Sequence, residues 1–472
     1  MIRLVFLVCA SLLLLMSVPS AGPARPIGWA TDTRVVQDKS GSGQHETAIA
    51  VNPHNADNAV VVFKDYRAAE RNYLDATTDG GLTWREQPFA AVPGAPGNTD
   101  PAVFFRSDGR AYIVWTAEVE WPNAGLYCAW SDDGGFTWNA PVQITRVTGH
   151  YDDKPWLAFG SNTDPTDTTI YAAWTRDAPG ELAGIDVAHS TNGGATWSKS
   201  VRVDAGSWME DDDGAQWIVQ PDGTLLLMFL HSNNAQSATL LLSRSTDDGA
   251  TWSENRPIFN IAPLPYTLPG EHWRNFPYPS LVADPVRGWL SIVWADYSSA
   301  ETNGADILLA RSTDTGATWS KPLRLNDDPA GLVRDQWFPV LASAPDGRLT
   351  ALWMDRRDDP TNRRYHAYAR TSLDGGVNWQ PSLRLSSASS DPNQNIPAGS
   401  DGIGDYIGLA AGPGVVWGAW VDVRNGNQDV YAARERFRYM KPRASTVQGP
   451  GICPPQSDTA PDLQAIVRCA IR

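Results

Sequence analysis

An eight-residue phrase recurs six times along this chain, and its spacing limits the fold more than any other feature. The copies are Thr77 to Trp84 (TTDGGLTW), Ser131 to Trp138 (SDDGGFTW), Ser190 to Trp197 (STNGGATW), Ser245 to Trp252 (STDDGATW), Ser312 to Trp319 (STDTGATW) and Ser372 to Trp379 (SLDGGVNW). Between third positions (Asp79, Asp133, Asn192, Asp247, Asp314, Asp374) the steps are 54, 59, 55, 67 and 60 residues. That period suits a unit of four short strands and exceeds a helical-repeat unit. An Asp or Asn followed by Gly suits a tight turn, because the side chain accepts bonds from nearby amides while Gly takes positive φ without a Cβ clash. The tryptophan is then expected on the outgoing strand. Flanking runs such as Asp306 to Ala310 (DILLA) and Asp429 to Ala433 (DVYAA) read as strands with one buried face.

Between the phrases, first strands are expected near Glu46, Thr99, Asp153, Asp213, Pro277, Trp337 and Asp405. Second strands carry Phe63, Trp115, Trp174, Phe229, Trp294, Trp353 and Trp420, so both series count seven. The seventh repeat, about 401–437, has three strand-like runs and lacks the phrase. An open edge would leave unpaired backbone groups, so residues around 34–37 are expected to supply its fourth strand. The expected fold class is all-β: a β-propeller of four-stranded blades, seven with six as the alternative, closed by an N-terminal strand.

The chain has 472 residues, 42% apolar and 19% charged, with 21 Trp, enough to bury a large core. A formal charge of -15 argues against a nucleic-acid partner, which needs a basic face; glycans remain compatible. Residues 1–24 have the layout of a secretory signal: Arg3, an apolar run from Leu4 to Met16, then small residues and prolines. This predicts a secreted or periplasmic protein without a membrane span, with a propeller over 25–440 and a Pro-rich tail over 441–472. In an oxidising compartment Cys453 and Cys469 of the tail are expected to pair, and Cys128 to be a buried thiol.

In a ring of blades, the loops entering first strands and those leaving second strands share one face, around the mouth of the channel. Glu46, Asp153, Asp213 and Asp405 form a column at the first strands, with Asp100 one place later. Asp65, Arg176, His231, Asp296, Asp355 and Asp422 stand two residues past the second-strand aromatics. Two further on come Arg67, Arg357 and Arg424, in repeats that a closed ring makes neighbours. Three convergent guanidiniums would grip a carboxylate. As D-x-R pairs with Asp65, Asp355 and Asp422 they would instead brace their own loops, and both readings stand at this point. Arg274 and Arg334 fall in long loops and are expected as exposed charges.

The phrase matches the Asp-box, S-x-D-x-G-x-x-W, and the chain resembles the sialidase-like (neuraminidase-type) β-propellers with Asp-box, or BNR, repeats. The resemblance covers six repeats, Asn192 departing from the pattern. It implies that the boxes are structural and lie on the face opposite the active site. It also implies an exported glycoside hydrolase, an exo-sialidase acting on terminal acidic sugars of glycans, with an arginine triad for the sugar carboxylate and a tyrosine nucleophile. Tyr406 is placed like that nucleophile, and Asp100 or Asp153 is the candidate acid. Glu46 completes the catalytic candidates, and Arg67, Arg357, Arg424 and Asp405 are the substrate-binding ones. Adjacent strand residues point to opposite sides, so Tyr406 and Asp405 are not both expected at the mouth.

The sequence departs from that family in lacking Arg-Ile-Pro, reading Glu46, Thr47, Ala48 on its first repeat, and in showing no glutamate poised to activate Tyr406. Sialidases also have six blades. The competing class is a non-catalytic propeller that binds glycan or a protein partner on the same face. The seven His lack zinc spacing. The loop 391–405, rich in Asp, Asn and Gly, reads as an ordinary polar loop or a calcium site, and no other cofactor is expected.

Overall fold

The computed structural model describes residues 28–440, apart from 68–70, 88, 90, 147, 161–166, 182, 204–210, 235–236, 277 and 395–401. The expected signal, the tail with Cys453 and Cys469, and residues 395–401 of the polar loop lie outside the described residues. All the described elements are strands, with no helix among the described residues. None of the described segments is a helix long and apolar enough to cross a membrane.

The strands pair in chain order. Gln44–Asn52, Asn55–Asp65, Arg71–Thr77 and Arg85–Gln87 form one antiparallel sheet of four. Further sheets of four begin with Asp211–Val219, Ser280–Ala283 and Gln336–Ser343. Two more sets of four, beginning with Gly97–Phe105 and His150–Phe159, merge into an eight-stranded sheet. They join where His150 and Tyr151 run parallel to Asn123 and Ala124. The last sheet holds Gly408–Gly412, Val415–Asp422 and Asp429–Arg436. Its outer edge is covered by Gly28–Trp29 and Thr33–Arg34, with Arg34 opposite Tyr431 and the Val35 amide donating to the Val430 carbonyl at 2.8 Å. The N-terminal segment thus pairs where the unpaired edge required it.

All seven second-strand aromatics are buried to 1% exposure or less. They pack across neighbouring sheets; Trp115, for example, clusters with Val60 and Val62 of the preceding sheet. Truncating one such ring to Ala costs about 3–5 kcal/mol.

The six phrases share one bonding scheme. In Ser131 to Trp138, Asp133 Oδ1 accepts the Thr137 amide at 2.9 Å and Oδ2 the Thr137 hydroxyl at 2.6 Å. The Ser131 hydroxyl donates to Asp133 and accepts the Gly135 amide. Asn192 reproduces this, its Oδ1 accepting the Thr196 amide at 2.9 Å and its Nδ2 donating to the Thr196 hydroxyl. The fourth position needs positive φ, which Asp248 and Thr315 adopt where the other copies use Gly. The tryptophan precedes the outgoing strand instead of sitting on it, since Trp84 comes just before Arg85–Gln87. In three copies the indole closes the turn, Nε1 of Trp138, Trp252 and Trp379 donating to the carbonyls of Gly135, Gly249 and Gly376.

The first strands carry the feature that builds the site. Five of them slip register at the same place: His45/Ala48, Thr99/Ala102, Asp153/Trp156, Asp213/Gln216 and Trp337/Val340. The residue at each bulge takes positive φ: Glu46 (55°), Asp100 (48°), Lys154 (51°), Gly214 (68°) and Phe338 (50°). A bulge re-aims a side chain, and left-handed backbone at a non-glycine is strain that local packing must hold. All seven first strands line one cavity of about 470 Å³.

Candidate active site

The bulges bring together charges from distant repeats. The Lys154 ammonium lies 2.8 Å from Asp100, 3.1 Å from Asp405 and 3.6 Å from Asp153. Arg274 forks onto both oxygens of Asp405, at 3.0 and 2.8 Å. Glu46, fully buried, pairs with Lys64 at 3.0 Å, and neither of its oxygens has a hydrogen-bond partner. The Tyr278 hydroxyl donates to Asp213 at 2.5 Å, while the Thr175 hydroxyl donates to the other Asp213 oxygen at 2.6 Å. Asp100, Lys154, Gly214, Tyr278 and Tyr406 line a small pocket that shares Trp156, Gln216, Tyr278 and Tyr406 with the large cavity. The Tyr406 hydroxyl reaches the Pro101 carbonyl at 3.4 Å.

These contacts split the proton affinities of the carboxyls. Burial pushes Asp153 well above the usual range, and the neighbouring Asp100 charge pushes the same way. Asp100 also loses water by burial, but the Lys154 and Lys64 ammoniums outweigh this and hold it low. Asp405 is likewise held low against burial by Lys154 and Arg274. Two like charges sharing a site ionise one at a time, and here the proton affinity is raised at Asp153 and lowered at Asp100. Burial pushes Glu46 up to about 7, with Lys64 opposing. The Tyr406 phenol is raised by burial and then by the Glu46 charge, which therefore stands near it. Carboxyls with opposed affinities beside a phenol can pass protons in both directions at neutral pH.

Several expectations need correction. Tyr406 and Asp405 both reach the mouth, because they precede the strand proper at Gly408–Gly412 and escape its alternation. Arg274 is no solvent-facing loop charge but the partner of Asp405, whereas Arg334 stays with its own loop through the Val333 carbonyl. Glu46 is the glutamate whose charge bears on Tyr406, and it raises the proton affinity of the phenol.

The structure does not bring Arg67, Arg357 and Arg424 together. Arg67 binds Asp65 at 2.7 Å and Glu86 of the fourth strand at 2.7 Å, stacked 4.1 Å over Tyr73. Arg357 does the same with Asp355 and Asp327 over Tyr368, and Arg424 with Asp422 and Asp32 over Tyr431. Each guanidinium stacks on a third-strand tyrosine of its own sheet, and Arg357 also reaches Asp327, just past the last strand of the preceding sheet. Asp355 and Asp422 also accept the indole N–H of Trp353 and Trp420. These are braces for second-strand ends.

The sequence reading missed Lys154, Lys64 and Tyr278. The recoverable signal was the alignment of Asp100-Pro101, Lys154-Pro155, Tyr278-Pro279 and Phe338-Pro339, a repeated break in four first strands. Among the described residues no group of three or more His, Cys, Asp or Glu could hold a metal ion. Cys128 is a buried thiol as expected, pushed by burial up to about 12.

No family model matches the chain. A sialidase of Bacteroides fragilis (strain YCH46) is 26% identical over 286 residues, covering 54% of this chain and 48% of that protein. The chain therefore spans about half the length of that curated relative. Among solved structures, a protein of unknown function from Dyadobacter fermentans DSM 18053 superposes with a TM-score of 0.48 at 12% identity, over 87% of this chain and 99% of that one. A Hadza microbial sialidase gives 0.47 at 16% identity over 81% and 76%. An ulvan lyase gives 0.49 at 11% over 88% and 96%. In the matched half of its sequence, then, this all-β chain is sialidase-like.

Proposed function

We propose that the protein is an exported glycoside hydrolase built as a seven-bladed propeller closed by its N-terminal strand, and that it removes terminal acidic sugars at the channel mouth. The observation that carries this reading is that Asp100 and Tyr406 line one pocket with Lys154, whose ammonium also meets Asp153, while the Glu46 charge bears on Tyr406. Glu46, whose oxygens have no other hydrogen-bond partner, takes the Tyr406 proton as the phenol oxygen attacks the anomeric carbon. Asp153 gives its proton to the leaving oxygen as the glycosidic bond breaks. Water then attacks the anomeric carbon, its proton passes to Asp153, and Tyr406 leaves the sugar and recovers its proton from Glu46. Asp100, fixed as an anion by Lys154, keeps Asp153 protonated for the first step. Arg274, 21% accessible, is the cation offered to a sugar carboxylate.

A second reading has its own support, since Lys154 and Arg274 are both already neutralised by Asp405, which suits a neutral terminal sugar or a site that binds glycan without cleaving it. Export rests on the signal-like residues 1–24, and the Cys453–Cys469 bond on their position in the tail.

The test is sugar release from 3′-sialyllactose and from a neutral oligosaccharide, with wild type and Tyr406→Phe. Release of sialic acid that the substitution abolishes supports the first reading. Release from the neutral substrate alone moves the specificity to the second. No release with retained binding leaves a lectin-like module.

A further inference from the structure

Two phenols line the small pocket at the mouth, and the catalytic reading uses only Tyr406. Tyr278, half-buried, lines both that pocket and the large cavity. Among the described residues its hydroxyl has one hydrogen-bond partner, Asp213 Oδ2 at 2.5 Å. The other oxygen of Asp213 is already taken: Oδ1 accepts the Thr175 hydroxyl at 2.6 Å and the Gly214 amide at 2.7 Å. Thr175 belongs to the second strand Ile170–Asp177 of one repeat, and Asp213 and Gly214 to the first-strand bulge of the next. Tyr278 comes from the loop before Ser280–Ala283 in the repeat after that. Three consecutive repeats therefore fix one hydroxyl.

The ring is held as firmly as its oxygen. Gly214 stands at φ 68°, and a Cβ there would lie 2.5 Å from Cδ1 of Tyr278, so only glycine lets the ring close on this strand. Phe276 stacks on Tyr278 with centroids 5.3 Å apart and planes 10° from parallel. The Arg274 guanidinium lies 4.8 Å from the centre of the Phe276 ring while it forks onto Asp405. Arg274, Phe276 and Tyr278 thus form one stack along a single loop, with a cation at one end and a phenol at the other. Burial, and after it the Asp213 charge, raise the proton affinity of Tyr278 well above the usual range, so the phenol keeps the proton that it shares with Asp213.

We propose that Tyr278 is a specificity-determining residue of the mouth: its oxygen accepts a hydrogen bond from one hydroxyl of the terminal sugar, and it disfavours at that point a group that brings lone pairs alone, such as a carboxylate or an ether. A phenol has a single proton to give, and here that proton is committed to Asp213, which leaves the oxygen as an acceptor only. A site that offers an acceptor selects the ligand that brings a donor, because an analogue without it leaves a buried polar group unpaired. The stack then sets the orientation, an acidic sugar turning its carboxylate to Arg274 and a hydroxyl to Tyr278. That the donor is a sugar hydroxyl rests on the glycoside-hydrolase reading; that Tyr278 requires a donor rests on Asp213, Thr175 and Gly214. Asp213→Asn inverts the arrangement. Thr175 and Gly214 hold the carboxamide oxygen, its Nδ2 donates to the phenol oxygen, and the phenol proton turns to the pocket.

Wild type, Tyr278→Phe and Asp213→Asn are titrated by calorimetry with the methyl glycoside of sialic acid, its monodeoxy derivatives and its mono-O-methyl derivatives, and turnover of 3′-sialyllactose is followed in parallel. One deoxy derivative is expected to bind wild type about five- to 150-fold more weakly than the parent, the scale of a polar group left unpaired, and to bind Tyr278→Phe within about twofold of it. The O-methyl derivative at the same position is expected to bind Asp213→Asn more tightly than wild type, since the added bulk is the same in both and only the donor direction differs. Equal deoxy penalties in wild type and Tyr278→Phe overturn the proposal, as does an O-methyl derivative that gains nothing from Asp213→Asn. Normal turnover beside either of those results leaves the hydrolase standing without this role for Tyr278. Absence of turnover with the expected binding pattern keeps the role of Tyr278 and defeats the hydrolase. Failure of wild type to bind the parent glycoside overturns the proposal together with the acidic-sugar reading.

Discussion

Aspartates dominate both the phrase turns and the cluster at the first strands, yet they behave oppositely. At the phrase turns each carboxylate is satisfied within four residues, by backbone amides and side-chain donors of its own turn, and its proton affinity falls: Asp374, bonded to Asn378 and Ser372, drops to about 2 even though its slight burial pushes the other way. At the mouth the partners come from other repeats, water is excluded, and neighbouring carboxyls are driven apart, Asp153 up and Asp100 down. A short-range contact set makes an aspartate a fixed cap; a long-range one moves its proton affinity up or down according to the charges it meets. The first kind recurs because the local sequence recurs, and the second exists only where several first strands meet.

The largest effect that separates the two sets is chemical. Tyr406→Phe removes the proposed nucleophile and is expected to lower turnover about 100- to 10,000-fold with little change in Tm; retained turnover would return the mouth to a structural role. In the same assay the wild-type rate should rise with pH through about 7, since Glu46 must lose its proton before it can accept one from Tyr406. The rate then falls again at the higher pH where Asp153 deprotonates.

Lys154→Met tests the cohesion of the mouth, because it leaves Asp100 and Asp405 without their shared cation. Denaturant unfolding should show a loss of about 3–5 kcal/mol, the scale of breaking a buried pair from one side. A loss below 1 kcal/mol would mean that water already screens the cluster.

Asp75 sharpens the comparison from a third place, a third strand, where the carboxyl is fully buried and neither oxygen has a hydrogen-bond partner. Burial, aided by the Glu86 charge, pushes it up to about 8, against about 3.9 in an unfolded chain. With the folded value raised, its stability is fully present below about pH 4 and is lost as pH rises towards 8. Asp75→Asn should therefore match wild type near pH 4 and exceed it by at least about 1 kcal/mol at pH 9. Parallel stability curves for the two proteins would show the carboxyl to be solvated.

The smallest effect lies at the phrase turns. Asp133→Ala should cost about 0.5–2 kcal/mol, the value of a side-chain cap on backbone amides, and leave turnover unchanged. Lost activity at an unchanged Tm would break the division between the two sets.

Sequence alone determined the repeat, the strand order within it and the turn chemistry, because those depend on contacts four residues apart or fewer. It also announced the missing outer strand of the last sheet, which Thr33–Arg34 supplies. The D-x-R pairs were legible as pairs, but only the positions of Glu86, Asp327 and Asp32 decided that they brace loops instead of converging. The charged cluster at the first strands was half legible: Glu46, Asp100, Asp153, Asp405 and Tyr406 stood in the columns that the structure draws together with Lys154. Lys154 and Arg274 were not, since Arg274 meets Asp405 across 131 residues and Lys154 faces the mouth only because a bulge turns it there at φ 51°. Side-chain direction at a bulge is set by the pressure of neighbouring strands around the channel and not by the two-residue alternation that a sequence displays.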